Sequence, residues 1–564
     1  MPTVYVNDKP VEIGDRKLNC VQAAELAGVL VPHYCYHPGL SVVASCRMCL
    51  VEMGDLKDGK VTMVPKVLPG CQTPVKDGTV IVTGEYEKRD KLNTTLPYDA
   101  AYQPGDRAKK SQADTIEGLL LNHPLDCPVC DKAGECKLQD YSYQFGRSQS
   151  RMVDQKNTPP NKPEISSKIT LFTDRCIMCT RCVRFTREVS GTAELQVVGR
   201  GHHEEIDVFP GYPLENKLSG NVVDLCPVGA LGSKDFLYTQ RVWYMKSTDS
   251  VCAGCSTGCS VHVDTNKDIV YRLRARENLD AQGYWMCDEG RWGYQYTQAP
   301  DRIGKPHARG ADGKLRPTTW RDINVRKLIE DELYVSAKRA VVVLSPFLTT
   351  EEAYLLGKAA KALSADIRLV LGPVPTVGED DHYPKNMRGM HVPPTKFTIH
   401  AEKCPNRAGV ELVLKKLQGE VIPFETVVKQ DLTVMWFAGG YPSPEAVNKA
   451  IPDNWKAPGV VIVQDLFQSK LTAVAKYVFP ATTVFEKDGS YINHAGITQT
   501  FTKTVKPTAE IRSELQLAMD LAGKRGLALV SAVRTELVLD IPDLAALATI
   551  KTPMLTKKVE LALV

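Results

Sequence analysis

Asp174-Arg-Cys-Ile-Met-Cys-Thr-Arg-Cys182, answered at a distance by Leu225-Cys-Pro-Val-Gly-Ala-Leu231, is the stretch on which the reading of this chain turns. Cys176, Cys179 and Cys182 stand at two-residue steps, and a lone Cys226 sits directly before Pro227. That is the spacing by which a chain wraps a cubane [4Fe-4S] cluster, with three thiolates from one tight loop and the fourth from elsewhere. Structural zinc, the plainer alternative, usually takes two separated C-x2-C pairs, so the triplet favours iron and sulfide.

Working outward, His123, Cys127, Cys130 and Cys136 precede this stretch. A lone histidine is more often structural than a ligand, but only three cysteines stand here and a cubane needs four donors. Imidazole can replace thiolate and, being neutral, raises the reduction potential. Earlier still, Cys35, Cys46, Cys49 and Cys71 are spaced C-x10-C-x2-C-x21-C, a relative of the plant-type [2Fe-2S] arrangement with a longer first loop. Zinc is not excluded by those long gaps alone. Alternating Val4 and Val6, a turn at Asn7-Asp8, then Val11 and Ile13 predict a hairpin. Asn19 is placed to cap a following helix, with Cys20 packed as a small hydrophobe. Hairpin, helix and cysteine loop together fit a β-grasp ferredoxin domain. Downstream, Cys252, Cys255, Cys259 and Cys287 again give three local donors and one remote. Fifteen cysteines with His123 supply donors for four clusters, leaving only Cys20 and Cys404 of the 17 cysteines.

Composition narrows the class. A chain of 564 residues is too long for one core, and a net charge of +4 over that length indicates neither a nucleic-acid nor a membrane-surface footprint. Met1 to Val11 has no basic, apolar and cleavage regions of an export signal, so reduced thiols are expected. No apolar run reaches the 18 or so residues of a spanning helix, and membrane association is expected only through partners. Thr83 to Gln112 reads as a charged surface linker or insertion. Arg175, Arg181, Arg184 and Arg187 flank the triplet, where they offset cluster charge or line a solvated helix face. Beyond about residue 300, strands at 339–344, 367–371, 433–438 and 460–463 and a helix at 350–363 predict α/β units around a mostly parallel sheet. Gly439-Gly440 reads as an ordinary tight turn. No G-x-G-x-x-G and no G-x-x-x-x-G-K-[ST] occurs, so no nucleotide site is expected.

These motifs carry a resemblance. Pro32-His-Tyr-Cys-Tyr-His-Pro38, Cys46-Arg-Met-Cys49, Asn122-His-Pro-Leu-Asp-Cys-Pro-Val-Cys-Asp131, Gly134-Glu-Cys-Lys-Leu-Gln-Asp140 and the two stretches quoted first resemble the large iron-sulfur subunit of respiratory NADH:quinone oxidoreductase, complex I, called G in bacteria. The resemblance covers residues 1 to about 245. It implies [2Fe-2S] ligation by Cys35, Cys46, Cys49 and Cys71, a [4Fe-4S] cluster on His123, Cys127, Cys130 and Cys136, and another on Cys176, Cys179, Cys182 and Cys226. The fourth quartet, Cys252, Cys255, Cys259 and Cys287, resembles the [4Fe-4S] segment of molybdopterin oxidoreductases such as formate dehydrogenase. Glu486-Lys-Asp-Gly-Ser-Tyr-Ile-Asn493 resembles a segment shared by both families. Ile497 stands where an arginine often follows that segment, and no cysteine soon after Cys287 is placed to ligate molybdenum, so a degenerate domain without molybdenum is expected.

The resemblance implies an α/β multi-domain chain. Its parts are a β-grasp [2Fe-2S] domain (1–84), a [4Fe-4S] domain with one histidine and three cysteine ligands (113–152), a [4Fe-4S] ferredoxin-like domain (165–245), a fourth-cluster domain of the molybdopterin type (246–305) and a molybdopterin-oxidoreductase-like α/β domain (306–564). It implies a subunit passing single electrons from a flavoprotein NADH-oxidising partner toward quinone-side iron-sulfur subunits, with one [2Fe-2S] and three [4Fe-4S] clusters and no quinone site of its own. The fourth cluster is expected off that route. Location is expected on the cytoplasmic side of the bacterial inner membrane, through the complex. The alternatives are the iron-sulfur/molybdopterin subunit of an NAD-linked formate dehydrogenase or hydrogenase complex, and a zinc-stapled scaffold.

Overall fold

The alternation over residues 3–13 becomes β1 (Thr3–Val6) and β2 (Lys9–Glu12), paired antiparallel, and the turn between them is taken by Asn7 and Asp8 at φ 46° and 65°. The computed structural model describes residues 1–86, 96–99, 101–323, 330–334, 337–386, 388–508, 510–524 and 526–549. It divides the chain into two units, Met1–Trp243 with Pro384–Pro394, and Tyr244–Tyr383 with Thr395–Val564.

In the first unit Asn19 caps α1 (Cys20–Leu26) in a capping box with Gln22, as its side chain predicts. β3 (Leu50–Lys57), β4 (Lys60–Met63), β5 (Leu68–Pro69) and β6 (Thr79–Val82) complete a mixed sheet of order β2-β1-β6-β3-β4, with β5 on β3. Val4, Val6, Val51 and Ile81 pack with α1 residues Cys20, Val21 and Ala24 in one core. The charged stretch after Thr83 departs from the linker reading. Its front, residues 87–95 and 100, lies outside the described residues, but α2 (Asp106–Leu120) already begins at Asp106. Buried Glu52 of β3 draws it in: its carboxylate accepts the Arg107 and Ala108 amides at 2.9 and 3.1 Å and the Tyr102 hydroxyl. A buried carboxylate needs such donors, and the charged residues supplied them. α3 (Lys137–Phe145), β7 (Ile169–Leu171) and α4 (Arg181–Phe185) then frame the cysteine loops. Pro384–Pro394 belongs to this unit through the Lys385 amide, which donates to Ser190 O at 2.8 Å beside Gly191, a contact no sequence pattern announces.

The second unit opens with a three-stranded antiparallel sheet of 246–251, 260–266 and 269–275. An eight-stranded sheet follows. Strands 477–480, 460–465, 434–438, 340–344, 368–371 and 422–423 run parallel, and the hairpin 307–309/315–317 adds antiparallel at one edge. Successive residues feed opposite cores: Val342, Leu344 and Trp436 face one, Val341, Val343 and Phe437 the other. A sheet covered on both faces explains why its strands read as unbroken apolar runs. The helix at 350–363 has the predicted bounds and is capped by Thr349 and Glu352. Gly440, at φ 85°, makes the expected turn, and its amide donates to Asp465 Oδ1 at 2.9 Å.

Trp436 is fully buried in the central strands. Trp436→Ala is expected to destabilise the second unit by about 3–5 kcal/mol, read by denaturant unfolding. Burial pushes Asp465 and Glu514 up to about 7 from 3.8 and 4.5, Lys487 partly opposing this for Glu514. Both therefore favour folding when protonated, and that contribution fades as pH rises from about 4 through about 7. Unfolding of Asp465→Asn at pH 5 and 8 is expected to show a weaker pH dependence than the parent chain.

Candidate metal centres

Of the sixteen candidate donors, twelve lie in the first unit. Among the β-grasp residues Cys35, Cys49 and Cys71 are buried and Cys46 half-buried. Their thiols hydrogen-bond in a row, Cys46 with Cys35, Cys35 with Cys71, and Cys71 with Cys49. Those bonds hold Cys35 and Cys49 low and push Cys46 and Cys71 up. Ala44 and Arg47 take φ of 50° and 57°, a left-handed backbone that folds the loop back on itself. The remote donor is fixed by the helix cap: Asn19 Nδ2 donates to Cys71 O at 3.0 Å.

The triplet does the same with other means. Met178 and Thr180 stand at φ 50° and 57°, so Cys176, Cys179 and Cys182 turn toward one hollow, which Cys226 also lines beside Leu171, Ile206 and Val228. Burial pushes Cys176 up to about 12 and Cys179 to about 11. Thiols so buried surrender their protons when a metal supplies the positive charge. The Met178 amide points at Cys176 Sγ, 3.4 Å away, a bond of the kind that raises cluster potentials.

For the third group, α2 delivers His123 with Nδ1 buried and without a hydrogen-bond partner. Burial lowers its pKa, favouring the neutral, metal-binding imidazole. After burial, the charges bearing most on the ring are Asp126, Asp174, Arg175 and Lys156. This group adjoins the triplet. A Cβ on Gly229, three residues past Cys226, would lie 2.3 Å from Cys130 Sγ, and the Lys137 amide donates to Pro227 O at 3.0 Å. Arg175 is buried against Asp126, its Nε 2.9 Å from the carboxylate, and Arg241 Nη1 donates to Cys130 O at 2.8 Å.

The fourth group lies in the second unit, where Cys252, Cys255, Cys259 and Cys287 line one hollow and all are buried. Gly254 and Gly290 amides point at Cys252 and Cys287 sulfurs, each 3.4 Å away, and burial pushes Cys252 up to about 12. The Glu486–Asn493 stretch fixes this loop: Asn493 Nδ2 donates to Thr257 O at 2.9 Å and the His494 amide to Ser256 O at 3.0 Å. Beside it lies a largely apolar cavity of about 270 Å³ lined by Cys252, Tyr294, Tyr296, Phe347, Tyr441 and Phe485. Among the described residues no three His, Cys, Asp or Glu side chains are drawn in to the spacing that a single ion demands. The β-grasp thiols instead stand in a hydrogen-bonded row, and the triplet and fourth groups surround hollows. That arrangement, with Cβ-free glycines against the sulfurs, suits a polynuclear centre that supplies one-electron chemistry when bound.

Sequence reasoning quoted Gly229 and Asn493 within motifs but gave neither them nor Gly290 a role, and it left three arginines undecided that are in fact buried, Arg175, Arg181 and Arg184. A glycine three residues after Cys226 or Cys287 was the available signal. Gly290→Ala sets a Cβ 2.8 Å from Cys252 Sγ, and Gly229→Ala crowds Cys130. Each is expected to lower iron content by about one four-iron cluster and to remove one electron paramagnetic resonance (EPR) signal, leaving the others in place.

Five family models match along the chain: a 2Fe-2S iron-sulfur cluster binding domain over residues 3–86, an NADH-ubiquinone oxidoreductase-G iron-sulfur binding region over 112–151, the ferredoxin-like domain of NADH-quinone oxidoreductase subunit 3 over 166–232, a molybdopterin oxidoreductase Fe4S4 domain over 245–299, and molybdopterin oxidoreductase over 394–524. A mitochondrial NADH dehydrogenase [ubiquinone] iron-sulfur protein 1 from Solanum tuberosum is 38% identical over 319 residues, 57% of this chain and 39% of that one. The G-type subunit of the NADH-quinone oxidoreductase of Streptomyces coelicolor is 35% identical over 60% of this chain and 37% of its own length, and that of Rickettsia conorii 33% over 64% and 48%. The chain thus spans well under two thirds of these relatives. A solved chain of an NAD+-reducing [NiFe]-hydrogenase in the H2-reduced state is 22% identical, covering 43% of this chain and 91% of that one, with a TM-score of 0.33 that carries no argument. In sequence and in its iron-sulfur domains, the chain is a homologue of the large, G-type iron-sulfur subunit of NADH-quinone oxidoreductase.

Proposed function

We infer that this chain conducts single electrons within an NADH-quinone oxidoreductase, through one [2Fe-2S] and three [4Fe-4S] clusters held by the four donor groups. The observation that carries this is continuity: Gly229, beside Cys226, packs on Cys130, and α4, beside Cys182, is hydrogen-bonded to the loop of Cys35. Three redox stations in one unit then follow the order β-grasp site, triplet site, histidine-containing site. The residues keep donors in place through both oxidation states, because an electron adds charge without requiring ligands to move. Amides aimed at sulfur and buried arginines stabilise the reduced state, and apolar Leu171, Ile206 and Val228 keep water from the triplet. Since the sequence carries no dinucleotide motif, hydride oxidation falls to a flavoprotein partner, and electrons leave to quinone-side iron-sulfur subunits. No helix among the described residues is long and apolar enough to cross a membrane, so attachment to the cytoplasmic face of the bacterial inner membrane is through those partners. The fourth group lies in the molybdopterin-type segment, off this route, and no molybdenum is assigned to it.

This chain is expected to contribute about 14 iron and 14 sulfide to the anaerobically purified complex, over and above those of its iron-sulfur partner subunits, with a flavoprotein co-purifying and molybdenum absent. Zinc in place of iron overturns the reading. His123→Cys is expected to retain its cluster at a lower potential, because thiolate adds negative charge where imidazole is neutral; an unchanged spectrum and potential removes His123 from the ligand set.

A further inference from the structure

Two buried guanidiniums on α4 reach across from the triplet site to the β-grasp site. Arg184 Nη2 donates to Cys35 O and also, at 3.3 Å, to Cys179 O, while its Nη1 donates to Ser41 O at 2.5 Å. Arg181 repeats the span one turn earlier, with Nη2 on Tyr36 O and Nη1 3.4 Å from Leu225 O, the residue before Cys226. Glu188, further along, accepts the Ser41 amide at 2.8 Å and holds the same loop. Each arginine therefore touches the backbone at or beside a candidate ligand of both sites.

The charges need an explanation. Arg181 and Arg184 are 5% and 7% exposed, and among the described residues neither is ion-paired with a carboxylate. Their Nε atoms have no hydrogen-bond partner. Burying an uncompensated cation is costly, and carbonyl dipoles compensate only partly. The groups that favour the charge of Arg181 are the Cys179 sulfur, the Tyr141 hydroxyl and the Cys35 sulfur, and none of them is a carboxylate. Clusters on four thiolates are anionic, so two of them flanking this pair supply the missing counter-charge.

We propose that Arg181 and Arg184 are shared positioning residues that set the reduction potentials of the β-grasp and triplet sites together, as one buried cationic bridge between them. The proposal rests on the ligand sets inferred above. A cation near a cluster favours its reduced, more negative state, so its removal disfavours reduction at both sites.

The test is potentiometric EPR on the purified complex, with iron and sulfide counted first. Wild-type protein without iron would sink the ligand sets themselves, a separate failure. With clusters retained, Arg184→Met is expected to lower the reduced-to-oxidised ratio of both clusters about tenfold at fixed potential, about 59 mV for one electron, and Arg184→Lys to restore most of it. Arg187→Gln, an exposed charge on the same segment, is expected to leave both unchanged. A shift at one cluster only, no shift, or a lysine variant as altered as the methionine one overturns the proposal. Should Arg184→Met lose iron, Arg184→Gln and Arg181→Met decide in its place: a lowered potential at both clusters supports the proposal, and a shift at one cluster only or at neither overturns it.

Discussion

A cluster of iron and sulfide must be gripped from four sides, and no short peptide can surround it. Three of the four donor groups here answer that constraint with three donors close in sequence and one brought from afar, whereas His123, Cys127, Cys130 and Cys136 stand within 14 residues of one another. Cys71 is held by the residue that caps α1, Cys226 by a loop lodged against the neighbouring site, and Cys287 at the start of a short helix. Every remote donor thereby ties a folding element to a candidate cluster site, so metal bound there would stabilise the fold as well.

Backbone strain and charge meet at the cysteine loops. Four of the eleven left-handed residues that are not glycine among the described residues, Ala44, Arg47, Met178 and Thr180, fall inside two cysteine loops. Such conformations persist only where surroundings over-determine them. Glycine does the opposite work at Gly229 and Gly290, where the absence of a Cβ leaves room for sulfur. Around these loops buried arginines replace the solvent that would otherwise screen a changing charge.

The second unit supports one donor group with a different economy. Its doubly covered sheet is apolar in its central strands 340–344 and 434–438, yet charged side chains gather beside it, where Lys487 meets Glu352 at 2.8 Å and Arg302 meets Glu486 at 2.7 Å. Part of the stretch Glu486–Asn493 sits in this buried polar network and its end grips the cysteine loop. A segment shared between two families thus has a physical task here, which is to lock a loop to a sheet.

Sequence alone determined the local choices. Alternation and an Asn-Asp turn specified the first hairpin, Asn19 and Thr349 announced their helices, and unbroken apolar runs marked a sheet buried on both faces. Cysteine spacing sorted the donors into four groups because ligand steps of two or three residues are a local property of the chain. Tertiary structure decided the rest. Whether Arg181 and Arg184 faced water or a neighbouring loop depends on residues more than 140 positions away, and so does the attachment of Pro384–Pro394 to the first unit. The helical start at Asp106, drawn in by buried Glu52, is equally invisible locally. Charge and hydrogen-bond partners come from contacts distant in sequence, and only the folded chain brings them together.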